Sequence, residues 1–235
     1  DAGRPLIANM IFLDVQYQFD WSVVTDRWRQ FAEGAWVDVW VAVLGFCFAC
    51  LLGLANAILR TSGVNLFSIP SFLYVQVMRG VPLYVMILWL YFGVANILGI
   101  NFTSFQAMVM ALALTGSGYT TEIFRAGLSA IDRGQIEAAR SIGLSRFRTY
   151  GHVILPQAFR IVIPPLGNTF VGLLKGATLM SVIAVPDMVF LANELNVTLF
   201  TPFEVFTAVA LILVVLVLFF SALVYVLERR LKIAV

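Results

Sequence analysis

Apolar residues along this chain come in long runs, broken by short polar stretches. A membrane-crossing helix needs about 20 mostly apolar residues. Val39–Leu59 meets that length, broken only by Asn56, and ends at Arg60. Val81–Ile100 follows Arg79-Gly80, and the apolar residues Ile69–Met78 before it read as an earlier half of the same bent helix. Phe105–Phe124 ends at Arg125, and Ile161–Val185 carries Pro164-Pro165 near its start and Lys175 inside. Phe203–Leu227 is the cleanest run and ends in Glu228-Arg229-Arg230. The pattern predicts an all-α membrane protein with five transmembrane helices, and an odd number puts the termini on opposite sides.

Composition supports lipid as the solvent. Of the 235 residues, 61% are hydrophobic and 12% charged, where a soluble domain is about 25% charged. So little charge cannot coat a globule, which argues against a cytosolic enzyme and a disordered tail protein. The net charge of +2 leaves no nucleic-acid footprint, and 2 cysteines cannot build a disulfide scaffold. No signal peptide with a cleavage site is evident. The chain begins at Asp1, which leaves two readings: Met10 is the native start behind a cloning remnant at 1–9, or the true start is missing.

Charge position predicts orientation through the positive-inside rule. Arg60, Arg79, Arg125, Arg133, Arg140, Arg146, Arg148, Arg160, Arg229, Arg230 and Lys232 share one side. The other side receives Asp1, Asp14, Asp20, Asp26, Glu33, Asp38, Asp187, Glu194 and Glu204, with only Arg4, Arg27 and Arg29 as cations. The N-terminus is therefore expected outside and the C-terminus inside. Trp21, Trp28, Trp36 and Trp40 mark the outer approach to the first span as interfacial anchors. Residues 1–33 form an extracytoplasmic segment, and 34–231 form the membrane domain with a cytoplasmic loop at 126–160.

That loop has a soluble-protein composition. Asp132 with Gln135 three residues on predicts a capping box. Gln135–Ile142, a Gly143 break, Leu144–Val153 and then Pro156 read as helix, turn, helix, stop. So short a unit cannot bury an apolar face alone, and Ile136, Ala139, Leu144, Phe147 and Tyr150 need span ends or another protein to pack on. Glu137 pairs with Arg133, with Arg140, or with a basic group on a partner.

Glu137-Ala138-Ala139, then Gly143, then Val153-Ile154-Leu155-Pro156 resembles the EAA loop of ABC importer permeases. The family has Ile where Val153 stands. The stretches Arg79-Gly80-Val81-Pro82-Leu83, Glu122-Ile123-Phe124-Arg125-Ala126-Gly127, Ile154-Leu155-Pro156-Gln157-Ala158, Pro164-Pro165-Leu166-Gly167-Asn168 and Pro202-Phe203-Glu204 are similar to the polar amino-acid branch, the histidine, arginine and glutamine type. The resemblance implies a type I ABC importer transmembrane-domain fold in a bacterial inner membrane. It implies a coupling loop with Glu137, Ala138, Ala139, Gly143, Leu144 and Pro156, which docks in a groove on a cytoplasmic ATP-binding subunit. It implies two such subunits carrying ATP and Mg, a second permease subunit (identical or homologous) and an extracytoplasmic substrate-binding protein near Asp187–Pro202. No cofactor is expected on this chain, and no G-x-x-x-x-G-K-[ST] is present.

Residues within the spans suggest a pathway. Lys175 lies deep in the fourth run, where a lysine costs about 2.5–3.5 kcal/mol. It faces the central pathway and a substrate carboxylate, pairs with an acid such as Glu122 or one from a partner subunit, or snorkels. Family members often follow this Lys with Asp and then Thr or Ser, whereas this chain has Gly176-Ala177-Thr178. Glu122 reads as a helix-end ion pair with Arg125, with a gate role as the alternative, and Lys175, Thr178 and Glu122 form the expected pathway set. Thr115-Gly116-Ser117-Gly118 reads as a tight helix crossing or as pathway lining. Pro82 and Pro164-Pro165 are expected to bend or start helices. The single His152, and Cys47 with Cys50, read as neither metal nor catalytic groups. An autonomous channel or secondary transporter would need inverted repeats, and an intramembrane enzyme would need a catalytic constellation. Neither is seen.

Overall fold

The computed structural model describes residues 17–231, and their regular structure is entirely helical. The sequence-based readings for Asp1, Arg4, Met10, Asp14, residues 1–9 and Lys232 lie outside the described residues. A short α1 (Ser22–Thr25) leads into α2 (Trp28–Arg60), 33 residues long. That is about 50 Å at 1.5 Å per residue, well beyond a hydrocarbon core of about 30 Å. The expected start at Val39 is too late. Arg29, Glu33 and Asp38 interrupt the apolar run, yet Arg and Glu are good helix formers and the helix continues through them.

α3 (Asn65–Gly80) and α4 (Leu83–Leu88) are the two halves of one bent element, meeting at 102°. Pro82 accounts for the break. It pushes Val81 into extended backbone (φ −80°, ψ 123°) and has no N–H to donate. A π-helical turn (Trp89–Val94) and α5 (Ala95–Leu98) follow. The capping box of the molecule stands at the start of α6 (Ser104–Ser129), where Thr103 and Gln106 cap each other. α6 packs along the length of α2 and also against α3 and α9.

α7 (Arg133–Ser141) and α8 (Arg146–Thr149) form the loop. A π-helical turn (Tyr150–Ile154) joins α8 to α9 (Leu155–Ala177), and a 3-10 turn (Thr178–Ile183) ends it. Pro156 therefore does not stop a helix. It sits in the first turn of α9, where the π turn has already broken the regular bonding ladder. Pro164 and Pro165 also lie inside α9 without ending it. α10 (Met188–Leu199) and α11 (Pro202–Leu231) complete the chain.

The large core joins α2, α4, α6, α9 and the 3-10 turn through Val41, Ile87, Met108, Leu112, Leu174 and Met180. A smaller one gathers Phe31, Met188, Leu195 and Val205 around α10. Trp28–Arg60, the continuous stretch Arg146–Ile183 and Pro202–Arg230 are long and apolar enough to cross a membrane, and the bent α3–α4 pair makes a fourth candidate. The chain is thus an all-α membrane protein with three to four candidate spans by length and composition. The remaining expected span, Phe105–Phe124, lies in α6, whose Thr, Ser and Gly residues make it less apolar.

Candidate coupling and translocation sites

The loop is built by local rules. Asp132 caps α7, its carboxylate accepting the Gly134 N–H at 2.6 Å. The expected capping box is absent, because Gln135 instead accepts a bond from Gln157 at 2.6 Å and ties α7 to the root of α9. Gly143 adopts φ +84° with open space around it, a backbone state glycine enters at no steric cost. The Gly143 and Leu144 N–H groups then cap the end of α7 by donating to Arg140 and Ala139 carbonyls at 3.0 and 3.1 Å. Ser145 caps α8 through the Arg148 N–H.

Among the expected coupling residues, Ala139 is buried, Leu144 is half-buried, and Glu137, Ala138 and Gly143 are exposed. Glu137 forms no ion pair among the described residues, so neither proposed helix partner is used. Ile142, Phe147 and Tyr150 are 79%, 88% and 52% exposed. The loop therefore presents an apolar surface that this chain does not cover.

The expected pathway residues do not form one cluster. Glu122 is bound by Arg125 at 2.7 Å, as the i,i+3 spacing predicted, and also by Arg60 at 3.4 Å. The Lys175–Glu122 pair is accordingly absent, since the carboxylate already faces two guanidinium groups. Lys175 is exposed on α9, and its carbonyl accepts the Thr178 hydroxyl at 2.8 Å. One turn before Lys175, Gly172 lines a cavity of about 540 Å³ at the α3–α4 break, together with Arg79, Pro82, Thr115, Tyr119 and Thr169. The Arg79 guanidinium lies 5.2 Å over the Tyr119 ring.

Sequence reading used Arg79 as a marker of membrane side and within the Arg79–Leu83 resemblance, without a site role of its own. Its position beside the Gly-Val-Pro break was the signal for a cavity. Thr115–Gly118 forms the expected tight helix crossing and borders the cavity. Thr115 lines the cavity, while a Cβ on Gly116 would stand 2.9 Å from Ala49 Cβ.

His152 faces the Arg148 carbonyl at 3.0 Å, and Cys47 and Cys50 are free. Among the described residues no group of His, Cys, Asp and Glu could hold a metal. Sequence reading also missed three buried carboxylates. Glu204 accepts the Tyr17 hydroxyl and, at 2.7 Å, the Asp20 N–H. Asp187 caps α10 by accepting the Phe190 N–H at 2.7 Å. Asp38 on α2 is fully buried.

Comparison with known proteins places this geometry among transporters. Residues 45–233 match the family model described as binding-protein-dependent transport system inner membrane component. The probable glutamine ABC transporter permease protein GlnM of Bacillus subtilis is 34% identical over 211 residues, covering 90% of this chain and 97% of the relative. The glutamine transport system permease protein GlnP of Escherichia coli is 32% identical over 217 residues, covering 92% and 99%. A chain in the crystal structure of an amino acid ABC transporter with histidines superposes with a TM-score of 0.85 at 34% identity, covering 91% of this chain and 100% of that one.

Proposed function

The chain belongs to the family of binding-protein-dependent transport system inner membrane components, and on that premise we propose how its parts divide the work of import. It is a permease subunit of a bacterial ABC importer of amino acids, a multi-pass inner-membrane protein without a catalytic role, and ATP hydrolysis resides in a separate subunit. In the proposed topology the bent α3–α4 pair is one span and α6 is the fifth. The N-terminus lies outside and the loop inside, as the positive-inside distribution requires.

α7 and α8 dock on the ATPase. Ile142, Phe147 and Tyr150 supply the apolar contact, the exposed Ala138 allows close approach while Ala139 packs inward, and the arginines form the rim. Two such ATPases, binding ATP and Mg, close on two permease subunits. Their motion reaches the membrane because α8, the π turn and α9 run on without a gap. An extracytoplasmic binding protein delivers substrate near Asp187–Pro202. Along the pathway the Arg79 cavity and Lys175 present cations to a substrate carboxylate. The helices α3, α4 and α9 contain no Asp or Glu.

The observation that carries the coupling role is the exposed apolar surface at a Gly143 turn rooted directly in α9. It is tested with Gly143→Trp in the reconstituted transporter, measuring amino-acid uptake and ATPase activity. The subunits are expected to co-purify while uptake is lost, and full transport would refute the docking role. Normal substrate affinity in Lys175→Met would remove Lys175 from the pathway.

A further inference from the structure

Asp38 has no part in that scheme, and Asp187 enters it only as one edge of the delivery region, yet the two carboxyls are unusual. Asp38 is 0% exposed, and neither of its carboxyl oxygens has a hydrogen-bond partner. Asp187 is 1% exposed, and its Oδ2 has none, while Oδ1 caps α10. The two acids are brought together by a close helix approach. A Cβ on Gly34, one turn before Asp38, would stand 2.5 Å from the Met188 N and 2.8 Å from the Asp187 carbonyl carbon. Asp38 lies on the same face of α2 as Gly34, which brings its carboxyl near Asp187 and the Met188 N–H.

The surrounding titratable groups give no relief. On α2 and α10, Glu33 and Glu194 line an adjoining groove with Asp187. On α11, Glu204 is engaged by Tyr17 and Asp20. The 3-10 turn carries no charge. Among the described residues no Lys or Arg forms an ion pair with Asp38 or Asp187. Two neighbouring carboxylates in a buried site cannot both ionise without a large desolvation and repulsion cost, and no Lys or Arg of the described residues pairs with them to offset it.

We infer that Asp38 and Asp187 together bind one proton, and that this shared proton holds α10 against α2. Asp187 keeps its role as acceptor for the Phe190 N–H, so the proton sits between its free Oδ2 and the Asp38 carboxyl. Loss of the proton sets two like charges face to face and drives α10 away from α2. Burial pushes the Asp187 carboxyl up to about 6. For acids raised in this way, docking is fully present at low pH and is lost as rising pH removes the pair's last proton. In the proposed topology the pair lies at the extracytoplasmic end of α2, so external acidity sets how firmly α10 is held.

The test places spin labels at Ala32 and Val197, both exposed, in the complete transporter in lipid nanodiscs on a background without Cys47 and Cys50. A second pair spanning α2 and α6 monitors the rest of the fold. At pH 5 the α2–α10 distance is expected to be short and narrow, and at pH 8 longer and broader. Asp38→Asn, which mimics the protonated acid, is expected to keep the short distance at both pH values. If that variant fails to assemble, Asp187→Asn carries the same expectation, because Asn also caps helices.

A wild-type distance that ignores pH would overturn the inference. So would a pH response that survives either Asn substitution. Restoration of the short distance at pH 8 by added Na⁺ or Ca²⁺ would replace the proton with a metal ion.

Discussion

α6 and α11 are both long enough to cross a bilayer, and they are made of opposite materials. α11 is the most apolar helix, yet only 6% of its most apolar stretch is buried within the chain. Leu211, Val215, Leu218 and Phe219 all point outward, each at least 60% exposed. α6 carries Thr115, Gly116, Ser117, Gly118, Thr120 and Thr121, and every one of them is buried.

Apolar content therefore records contact with lipid, not depth inside the protein. A helix with protein around it is free to be small and polar, provided its hydroxyls find acceptors. On α6 they do. Thr115 and Thr121 bond back to Ala111 and Ser117 carbonyls at 2.6 Å, while Thr120 reaches across to the Ala49 carbonyl of α2 at 2.7 Å.

The contrast is open to direct test. The largest effect is expected from Val215→Lys on the outward face of α11, costing about 2.5–3.5 kcal/mol at mid-bilayer. It would be read as lost membrane insertion or a lowered melting temperature, and normal insertion would mean that α11 does not face lipid. Gly53→Leu comes next, at about 2–3 kcal/mol from overpacking. A Cβ at Gly53 would already stand 2.8 Å from Thr120 Cβ and 2.9 Å from the Thr121 N, and backbone cannot step aside. Thermal unfolding in detergent measures it.

Thr120→Val keeps the shape and removes the bond to Ala49, for about 0.6–1.7 kcal/mol. The smallest effect belongs to Leu211→Met on α11, expected within about 0.5 kcal/mol as an exposed substitution. A cost for Leu211→Met above that for Thr120→Val would reverse the assignment of the two helices.

The same contrast explains what the sequence disclosed. Runs of apolar residues revealed α2, the α3–α4 element, α9 and α11, which present apolar faces outward, and also α6, which keeps apolar residues around its buried Thr, Ser and Gly. They misplaced the start of α2, where Arg29, Glu33 and Asp38 break the run without breaking the helix. The helix–turn–helix at 126–160 was legible because Asp132 and Gly143 act through neighbours in sequence. Pro156 was misread because the π turn that accommodates it has no sequence signature of its own. The Arg79 cavity, the Asp38–Asp187 pair and the double clamp on Glu122 depend on which helix lies beside which. Composition and spacing carry no such register.

The clamp on Glu204 has a consequence for how this protein is made. Tyr17 and Glu204 are separated by 187 residues of chain. At a synthesis rate of about 5–20 residues per second, roughly 10–40 s pass between the appearance of one and the other. Tyr17 and Asp20 are thus made well before the acceptor they bind, and they find their place late. Until α11 is inserted, Tyr17 and Asp20 have no acceptor there. Closure of this bond marks completion of the bundle, and it makes the stretch around Tyr17 and Asp20 a latch on the finished protein.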